Sequence, residues 1–380
     1  MTKVMTILGT RPELIKMSRV IPLFDKFTDH ILVHTGQNYD DGLNEIFFRE
    51  LKIRQPDYCL NVNKDSPAGA IADVIVKVDE LLSKIKPDAV LIYGDTNSGL
   101  ACIAAKKRKV PIFHMEAGNR CFDLNVPEET NRRIIDHLSD VNLTLTSQAK
   151  EYLLNEGMDS ELVFKIGSHM PEVLQFYEND INASSIQKKL NLQKSNYIVV
   201  SVHREENVDL QFNLRQIVST LNCLAKKYDF PIIVSTHPRT RARLKNLEDI
   251  KLNSLILFMD PFGFFDYISL QKNAYCVLSD SGTLTEEASF FKFPCVMLRS
   301  SHERPEGMDS GVSIMAGLSE MDVLQAIEIS VGTNSNYQGS VSDYDEGPVS
   351  YKILKIVISY IDYINKKKWM KFSPPNFFEI

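Results

Sequence analysis

Short β-rich apolar runs recur along this chain, each followed by a stretch with helical spacing of apolar residues, and that alternation restricts what it can fold into. Val4–Leu8 reads as a strand, Gly9-Thr10-Arg11-Pro12 as a turn, and Glu13–Phe27 as a helix with Leu14, Ile15, Met17, Val20, Ile21 and Phe24 as its apolar positions. Pro22 inside that pattern should kink the helix or end it early. His30–His34, Ala89–Tyr93, Val110–Phe113, Asp140–Leu145 and Val163–Ile166 read as further strands, with helices over Val74–Ile85, Asn97–Lys107 and Gln148–Glu156. Strands joined by helical crossovers are most simply parallel with right-handed connections, which gives a doubly wound sheet.

The rhythm breaks between Ser168 and Ser195, where a helical Pro171–Tyr177 precedes the polar stretch Asn179–Ser185, and then restarts. Tyr197–Val202, Pro231–Ser235, Leu255–Met259, Tyr275–Leu278 and Cys295–Leu298 read as strands, with helices over Phe212–Lys227, Phe264–Gln271 and Thr283–Phe291. The chain closes on an amphipathic helix, Tyr351–Lys366, whose apolar face is Ile353, Ile356, Val357, Tyr360, Ile361 and Ile364. At 380 residues the chain exceeds what one core usually serves. The expected organisation is a Rossmann-like domain over 1–170, a connection over 171–195, a second Rossmann-like domain over 196–350, and a C-terminal helix over 351–380 crossing back to the first domain. The fold class is therefore α/β: two doubly wound domains with an interdomain cleft, binding ligands at the carboxyl ends of their strands.

Composition narrows the partners. A formal net charge of −6 argues against nucleic acid, whose phosphates require a basic surface. The six cysteines are scattered with no CxxC spacing, so neither a zinc site nor a disulfide framework is indicated, and reduced thiols in the cytoplasm are the simplest expectation. No apolar run is long enough to span a membrane, and Arg11 follows the first apolar run too soon for a signal-peptide core.

Chemistry-bearing residues collect at strand ends. Between Phe113 and Arg132 lie Glu116, Arg120, Asp123, Glu128, Glu129 and Arg132, a crowding of carboxylates and guanidiniums on a strand-to-helix connection. Proton transfer on an anionic substrate requires such groups; a solvated loop leading into an acidic helix start reads the same residues. Gly9-Thr10-Arg11-Pro12-Glu13 with Lys16 places two cations beside a helix N-terminus, a natural phosphate site, or else an ordinary Gly turn before a Pro-started helix. It carries neither GxGxxG nor GxxxxGK[ST]. Gly94-Asp95-Thr96-Asn97 follows a strand in the same way, as helix cap or as a carboxyl on the edge that bears Glu116. In the second half His203-Arg204 and His237-Pro238-Arg239 each follow a strand and suggest an edge that faces an anion. Ser279-Asp280-Ser281-Gly282-Thr283 opens a helix whose N–H groups and hydroxyls suit a diphosphate, with Glu287 placed to accept from ribose hydroxyls; a Ser/Thr cap with an acidic first turn is the competing reading.

Taken in order, Gly9-Thr10-Arg11-Pro12-Glu13 with Lys16, Gly94-Asp95-Thr96, His114-Met115-Glu116-Ala117-Gly118, Pro127-Glu128-Glu129-Thr130-Asn131-Arg132, His203-Arg204-Glu205, Ser279-Asp280-Ser281-Gly282 with Glu286-Glu287-Ala288, and Glu303-Arg304-Pro305-Glu306 resemble the non-hydrolysing UDP-N-acetylglucosamine 2-epimerases. The wording Thr35-Gly36-Gln37-Asn38-Tyr39-Asp40, Gly118-Asn119-Arg120-Cys121-Phe122-Asp123 and His302-Glu303-Arg304-Pro305-Glu306-Gly307-Met308-Asp309 is closer still to the branch that makes UDP-N-acetyl-L-fucosamine. The resemblance implies a GT-B glycosyltransferase-like fold and elimination of UDP across C1 and C2 to a glycal, followed by re-addition with protonation from the other face. It implies a UDP-N-acetylhexosamine as substrate, no cofactor, no metal, and a homodimer. By motif position Asp95, Glu116 and Glu128 are the implied acid/base carboxylates and His203 steadies the leaving UDP. Arg11, Lys16, Arg132, His237, Ser281, Gly282, Thr283 and Glu287 are the implied substrate- and UDP-binding residues.

Three departures stand out, the first from the family's usual pattern and the other two from its UDP-GlcNAc branch. Thr283 replaces the second Gly of a Ser-Gly-Gly, the Glu116–Glu128 loop is shortened, and Gln37-Asn38-Tyr39-Asp40 replaces a segment bordering a regulatory substrate site, so such regulation is expected to be altered. Either UDP-GlcNAc or the 6-deoxy-L-talo precursor of the fucosamine sugar fits as substrate. A GT-B glycosyltransferase shares the fold and nucleotide site but does not need three carboxylates around C2.

Overall fold

The structure is a computed structural model that describes residues 1–36, 41–63, 66–245, 247 and 250–371, with residues 41–45 described by their backbone alone. The Gln37-Asn38-Tyr39-Asp40 segment lies outside the described residues. The chain divides into two compact units, Met1–His169 with Glu346–Ile380, and Met170–Asp345.

The first unit is built on seven strands: β1 (Lys3–Leu8), β2 (Asp29–His34), β3 (Tyr58–Cys59), β4 (Ala89–Tyr93), β5 (Ile112–Ala117), β6 (Val141–Thr144) and β7 (Val163–Lys165). Their order is β3-β2-β1-β4-β5-β6-β7, and every neighbouring pair is parallel. The second unit repeats the plan with β8 (Ile198–Ser201), β9 (Ile232–Ser235), β10 (Ile256–Met259), β11 (Cys276–Ser279), β12 (Cys295–Met297) and β13 (Ile314–Met315), ordered β10-β9-β8-β11-β12-β13 and again all parallel. The central strands read as continuous apolar runs because helices cover both faces; every residue of β4 is buried. Strand order reverses between β1 and β4 in one sheet and between β8 and β11 in the other. At such a switch point the two following loops diverge and leave a crevice at the carboxyl ends. Those loops carry Gly9-Thr10 and Gly94-Asp95-Thr96 in the first unit, and His203-Arg204 and Asp280-Ser281-Gly282 in the second.

Several elements differ from expectation. The helix expected over Glu13–Phe27 is two, Arg11–Met17 and Val20–Phe27, parted at Ser18-Arg19 rather than at Pro22. Pro22 falls in the first turn of the second helix, where its missing N–H has no intrahelical partner to lose. The stretch expected as one helix over Asn97–Lys107 begins as a 3₁₀ segment, Asn97–Ala101, and turns α-helical only at Cys102–Lys107. Helix Pro67–Ile85 starts a full turn and more before Val74, because Ser66 Oγ caps it by accepting from Gly69 N at 3.0 Å. The segment 171–195 carries short helices belonging to the second unit, where the Tyr177 ring packs against Phe265 with centroids 5.4 Å apart. The closing helix, Val349–Lys367, lies in the first unit, packs on Val20–Phe27, and sends Lys352 Nζ to the Ile166 carbonyl at 3.2 Å. None of the described helices is long and apolar enough to cross a membrane.

Candidate active site

In the first unit one carboxylate joins the two loops of the switch point. Glu13 Oε2 accepts from the Gly9 and Thr10 amides at 2.6 and 3.1 Å, and its Oε1 accepts from Thr96 Oγ1 at 2.6 Å. Burial pushes the Glu13 pKa up to about 7, against the pull of those hydrogen bonds. Gly9 has no room for a side chain, since a Cβ there would run into Ser98 Oγ and Thr35 Oγ1.

Glu116 is set by strain. The β5–β6 register slips between Met115 and Ala117, and Glu116 within that slip takes a left-handed φ of +66°, a conformation costly for a residue with a side chain. Such a bulge re-aims a strand residue that would otherwise point into a sheet face. The carboxylate meets Lys16 Nζ at 2.8 Å, with side-chain exposures of 13% and 5% for Glu116 and Lys16. Lys16 Nζ also lies 5.4 Å from the centre of the Tyr93 ring. Gly94, itself at φ +69°, backs the other carboxyl oxygen, for a Cβ there would stand 3.5 Å from Glu116 Oε2.

Asp95 and the helix Pro127–Leu138 meet beside this pair. Arg132 donates to Asp95 Oδ2 through Nε and Nη2 at 3.0 and 2.7 Å, and to Glu129 Oε2 through Nη1 at 3.1 Å. Glu129 is fully buried; burial raises its pKa, but the Cys121 amide, the Arg132 charge and the Arg133 hydrogen bond together hold it below the ordinary value. Glu128, one residue earlier, is half-buried in the helix's first turn. Asn131 Nδ2 donates to the Asp95 carbonyl and to Asn97 Oδ1, each at 3.0 Å. Beneath them the His114 ring spans from the Gly94 carbonyl to Asp136, both at 2.8 Å, and Arg120 joins Asp136 to Glu156 at 2.6 Å on each side. Burial raises the Asp136 pKa, yet His114 and Arg120 overcome it and keep the carboxylate ionised.

His169 closes the same corner. Its ring stands edge-on to Tyr93, centroids 4.9 Å apart, and the residue is 2% exposed. Burial and the Lys16 charge drive its pKa down to about 3, with the Glu116 charge opposing them. Neither ring nitrogen has a hydrogen-bond partner among the described residues.

In the second unit Asp280 organises the edge. Fully buried, it accepts from the His203 and Arg204 amides at 3.0 and 2.9 Å and from Asn207 Nδ2 at 3.0 Å, and its Oδ1 lies 3.1 Å from His203 Nδ1. Burial raises its pKa, but the His203 charge and hydrogen bond, with the Arg204 amide and Asn207, bring it down to about 2. The imidazole, 44% exposed, is thereby held with Nε2 directed away from Asp280. The His237 ring lies 6.5 Å from it, centroid to centroid. Ser281 Oγ and Thr283 Oγ1 are 3.0 Å apart at the start of helix Thr283–Phe291, and a Cβ on Gly282 would stand 3.5 Å from Glu303 Oε1. Glu303 bridges Arg204 and Arg299, both at 2.5 Å. Glu287 is buried and accepts from Gln271 Nε2 at 2.7 Å. Among the described residues no group of three or more His, Cys, Asp or Glu is arranged to hold a metal ion.

The comparisons with known proteins bear on both edges. The family model described as UDP-N-acetylglucosamine 2-epimerase matches residues 24–358. The chain belongs to the UDP-N-acetylglucosamine 2-epimerase family. It is similar to the structure of the UDP-N-acetylglucosamine 2-epimerase of Rickettsia bellii, at 56% identity and a TM-score of 0.92, covering 98% of this chain and 100% of that one. The crystal structure of Methanocaldococcus jannaschii UDP-GlcNAc 2-epimerase in complex with UDP-GlcNAc and UDP matches at 34% identity and a TM-score of 0.88, over 94% of this chain and 100% of that one. A UDP-2,3-diacetamido-2,3-dideoxy-D-glucuronate 2-epimerase of Pseudomonas aeruginosa is 34% identical, over 92% of this chain and 98% of its own length. The α/β fold of two parallel sheets is that of the family's GT-B-like structures.

Within this epimerase-family fold, Lys16 lies on helix Arg11–Met17, Asp95 on the loop after β4, Glu116 on β5, and Glu128 and Arg132 on helix Pro127–Leu138, while Arg11 lies 5.9 Å from the Phe47 ring centre. His203, His237, Ser281, Gly282, Thr283 and Glu287 lie on the second unit's edge. Arg132, named from the sequence as a substrate anchor, already binds Asp95 and Glu129. Three residues escaped the sequence reading. Glu13 sits in a motif that assigns it no role, Asp280 in the segment that opens a helix, and His169 at the very end of the expected first domain, where the helical rhythm breaks. The i+3 spacing of Glu13 from Thr10, a capping-box signature, is the one signal that was present.

Proposed function

We propose that the chain interconverts the C2 epimers of a UDP-N-acetylhexosamine, UDP-GlcNAc and UDP-ManNAc, by elimination and re-addition of UDP. The C2 hydrogen is not next to a carbonyl, so its direct removal would leave an unstabilised carbanion. In the proposed step a carboxylate takes the C2 proton, the C–H electrons form the C1–C2 double bond, and the C1–O bond breaks with its electrons leaving on UDP. Re-addition returns UDP to C1 while a carboxylic acid delivers a proton to the opposite face of C2. Asp95, Glu116 and Glu128 are the proposed proton carriers. His203, held by Asp280, steadies the departing diphosphate, and Arg11, Lys16, Arg132, His237, Ser281, Gly282, Thr283 and Glu287 bind nucleotide or sugar.

The observation that carries the reading is Glu116: a strained, mostly buried carboxylate paired with Lys16 beside the Asp95–Arg132 pair. Stored backbone strain at a strand's carboxyl end is characteristic of a working site, and a cation within reach can stabilise either the base or the leaving group. The Rickettsia bellii and Methanocaldococcus jannaschii relatives support UDP-GlcNAc as the substrate. A second substrate, UDP-2-acetamido-2,6-dideoxy-L-talose, is favoured by the shortened loop between Glu116 and Glu128, and the diacetamido-glucuronate relative supports variation of the sugar. NMR of the protein with UDP-GlcNAc alone should show its C2 epimer growing in without acceptor or cofactor. Reaction of only the 6-deoxy-L-talo sugar would transfer the assignment to that substrate, and release of free UDP alone from both would overturn epimerisation.

A further inference from the structure

We propose that His169 is a sugar-binding residue of the epimerisation site, taking a hydroxyl or the acetamido group of the UDP-N-acetylhexosamine on its ring nitrogens. The inference rests on the proposed role of Glu116. His169 shares the Tyr93 ring with Lys16: the imidazole stands edge-on to it at 4.9 Å, and Lys16 Nζ lies 5.4 Å from its centre. Through Lys16 it borders the Lys16–Glu116 pair, whose charges both act on it.

Buried polar groups in folded proteins are nearly always hydrogen-bonded, and an exception calls for a reason. Other buried imidazoles in this unit keep that rule on both nitrogens. His30 meets Thr6 Oγ1 at 2.8 Å and Asp25 Oδ1 at 2.6 Å, and His114 meets the Gly94 carbonyl and Asp136. His169 is as deeply buried, and neither of its nitrogens is paired among the described residues. A phenylalanine or leucine would fill the same space beside Tyr93 without the unmade bonds, so packing does not account for a histidine here.

A neutral imidazole offers one N–H and one lone pair. A sugar hydroxyl and a secondary amide each present the complementary donor and acceptor. Neutrality also preserves the neighbouring ion pair, because a charged ring would compete with Lys16 for Glu116. A site that hydrogen-bonds a substrate group discriminates strongly against analogues lacking it, so His169 bears on which hexosamine is accepted.

The test uses the full chain with His169→Phe, His169→Met and His169→Asn. For Phe and Met, kcat/KM for the UDP-sugar should fall at least tenfold while UDP affinity by calorimetry stays within twofold; Asn, which restores a donor and an acceptor, should recover part of the loss. A packing role would instead lower Tm in all three without that recovery. In the wild-type protein, the His169 imidazole NMR signals should shift on adding UDP-sugar and stay in place with UDP. Wild-type kcat/KM in any folded apolar variant, or, should none of them fold, imidazole signals indifferent to the sugar, overturns the proposal. Glu116→Gln run beside them separates the two claims: loss of activity there with wild-type His169 variants rejects His169 alone, and full activity in Glu116→Gln rejects the reading on which it rests.

Discussion

Replacing Asp280 with asparagine takes one charge and almost no volume from the second unit's edge, and the consequences can be worked through. The carboxylate is fully buried and receives the His203 and Arg204 amides, Asn207 Nδ2 and the His203 ring. Its pKa falls from an ordinary 3.8 to about 2, with burial opposing and the hydrogen bonds and His203 charge prevailing. A tenfold change in proton affinity is worth about 1.4 kcal/mol, so the ionised form contributes about 2 kcal/mol of stability. The group titrates lower folded than unfolded, so that contribution is whole above pH 3.8 and is lost as pH falls towards 2. Asparagine removes it and turns an amide NH2 or a single carbonyl towards His203 Nδ1, which loosens the ring. Urea denaturation followed by circular dichroism should find the variant less stable by about 2 kcal/mol at pH 5, with a gap that narrows as pH falls from 3.8 towards 2. Epimerisation should slow on the order of 10²-fold, the usual scale for losing one positioned acid/base group. A variant as stable and as active as the wild type, or a gap that does not narrow as pH falls from 3.8 towards 2, refutes the role of Asp280.

Two further outcomes follow from the first unit. Glu13 keeps its proton up to about pH 7 in the folded chain against 4.5 unfolded, so its contribution is whole below pH 4.5 and is lost as pH rises to 7. The stability of Glu13→Gln relative to wild type should therefore rise by about 3 kcal/mol between pH 4.5 and pH 7.5 in urea titrations, and a pH-independent difference would count against a protonated Glu13. Gly94 and Gly118 have φ of +69° and +81°, where alanine costs on the order of 1–2 kcal/mol. A Cβ on Gly118 also runs into the Ala149 carbonyl, whereas on Gly94 it makes only ordinary contact with Glu116 Oε2 at 3.5 Å. Thermal denaturation should rank Gly118→Ala well below Gly94→Ala, and the reverse order would contradict the geometry.

Both doubly wound sheets were legible because their central strands are continuous apolar runs, such as Ala89–Tyr93, set between helical patterns. The two-residue strands Tyr58–Cys59 and Ile314–Met315 were not, being too short to have a period. Helix Glu320–Thr333 was missed although Val323, Ala326 and Ile327 carry the i, i+3, i+4 spacing. In the site, residue types at strand ends were readable, but their division of labour was not. Glu128 and Glu129 are equivalent in sequence, and only the helix's rotation buries Glu129 against Arg132 and Arg133 while leaving Glu128 half-buried. Nothing in Met115-Glu116-Ala117 announces a left-handed glutamate, since no Gly or Asn marks the position; the strain comes from the register slip against β6. His169 was invisible for another reason: a lone histidine has meaning only through neighbours distant in sequence, here Lys16, Tyr93 and Glu116.

Solvent isotope at C2 tests the proposed chemistry most directly. UDP-GlcNAc incubated with the protein in D2O should return one deuterium at C2 in both epimers, because the proton removed to a carboxylate exchanges before another is delivered to the opposite face. Glu116→Gln, folded and binding UDP, should lose that incorporation together with epimerisation. Epimers that interconvert while keeping their original C2 hydrogen, or a Glu116→Gln protein that exchanges C2 at the wild-type rate, would contradict elimination and re-addition driven from Glu116.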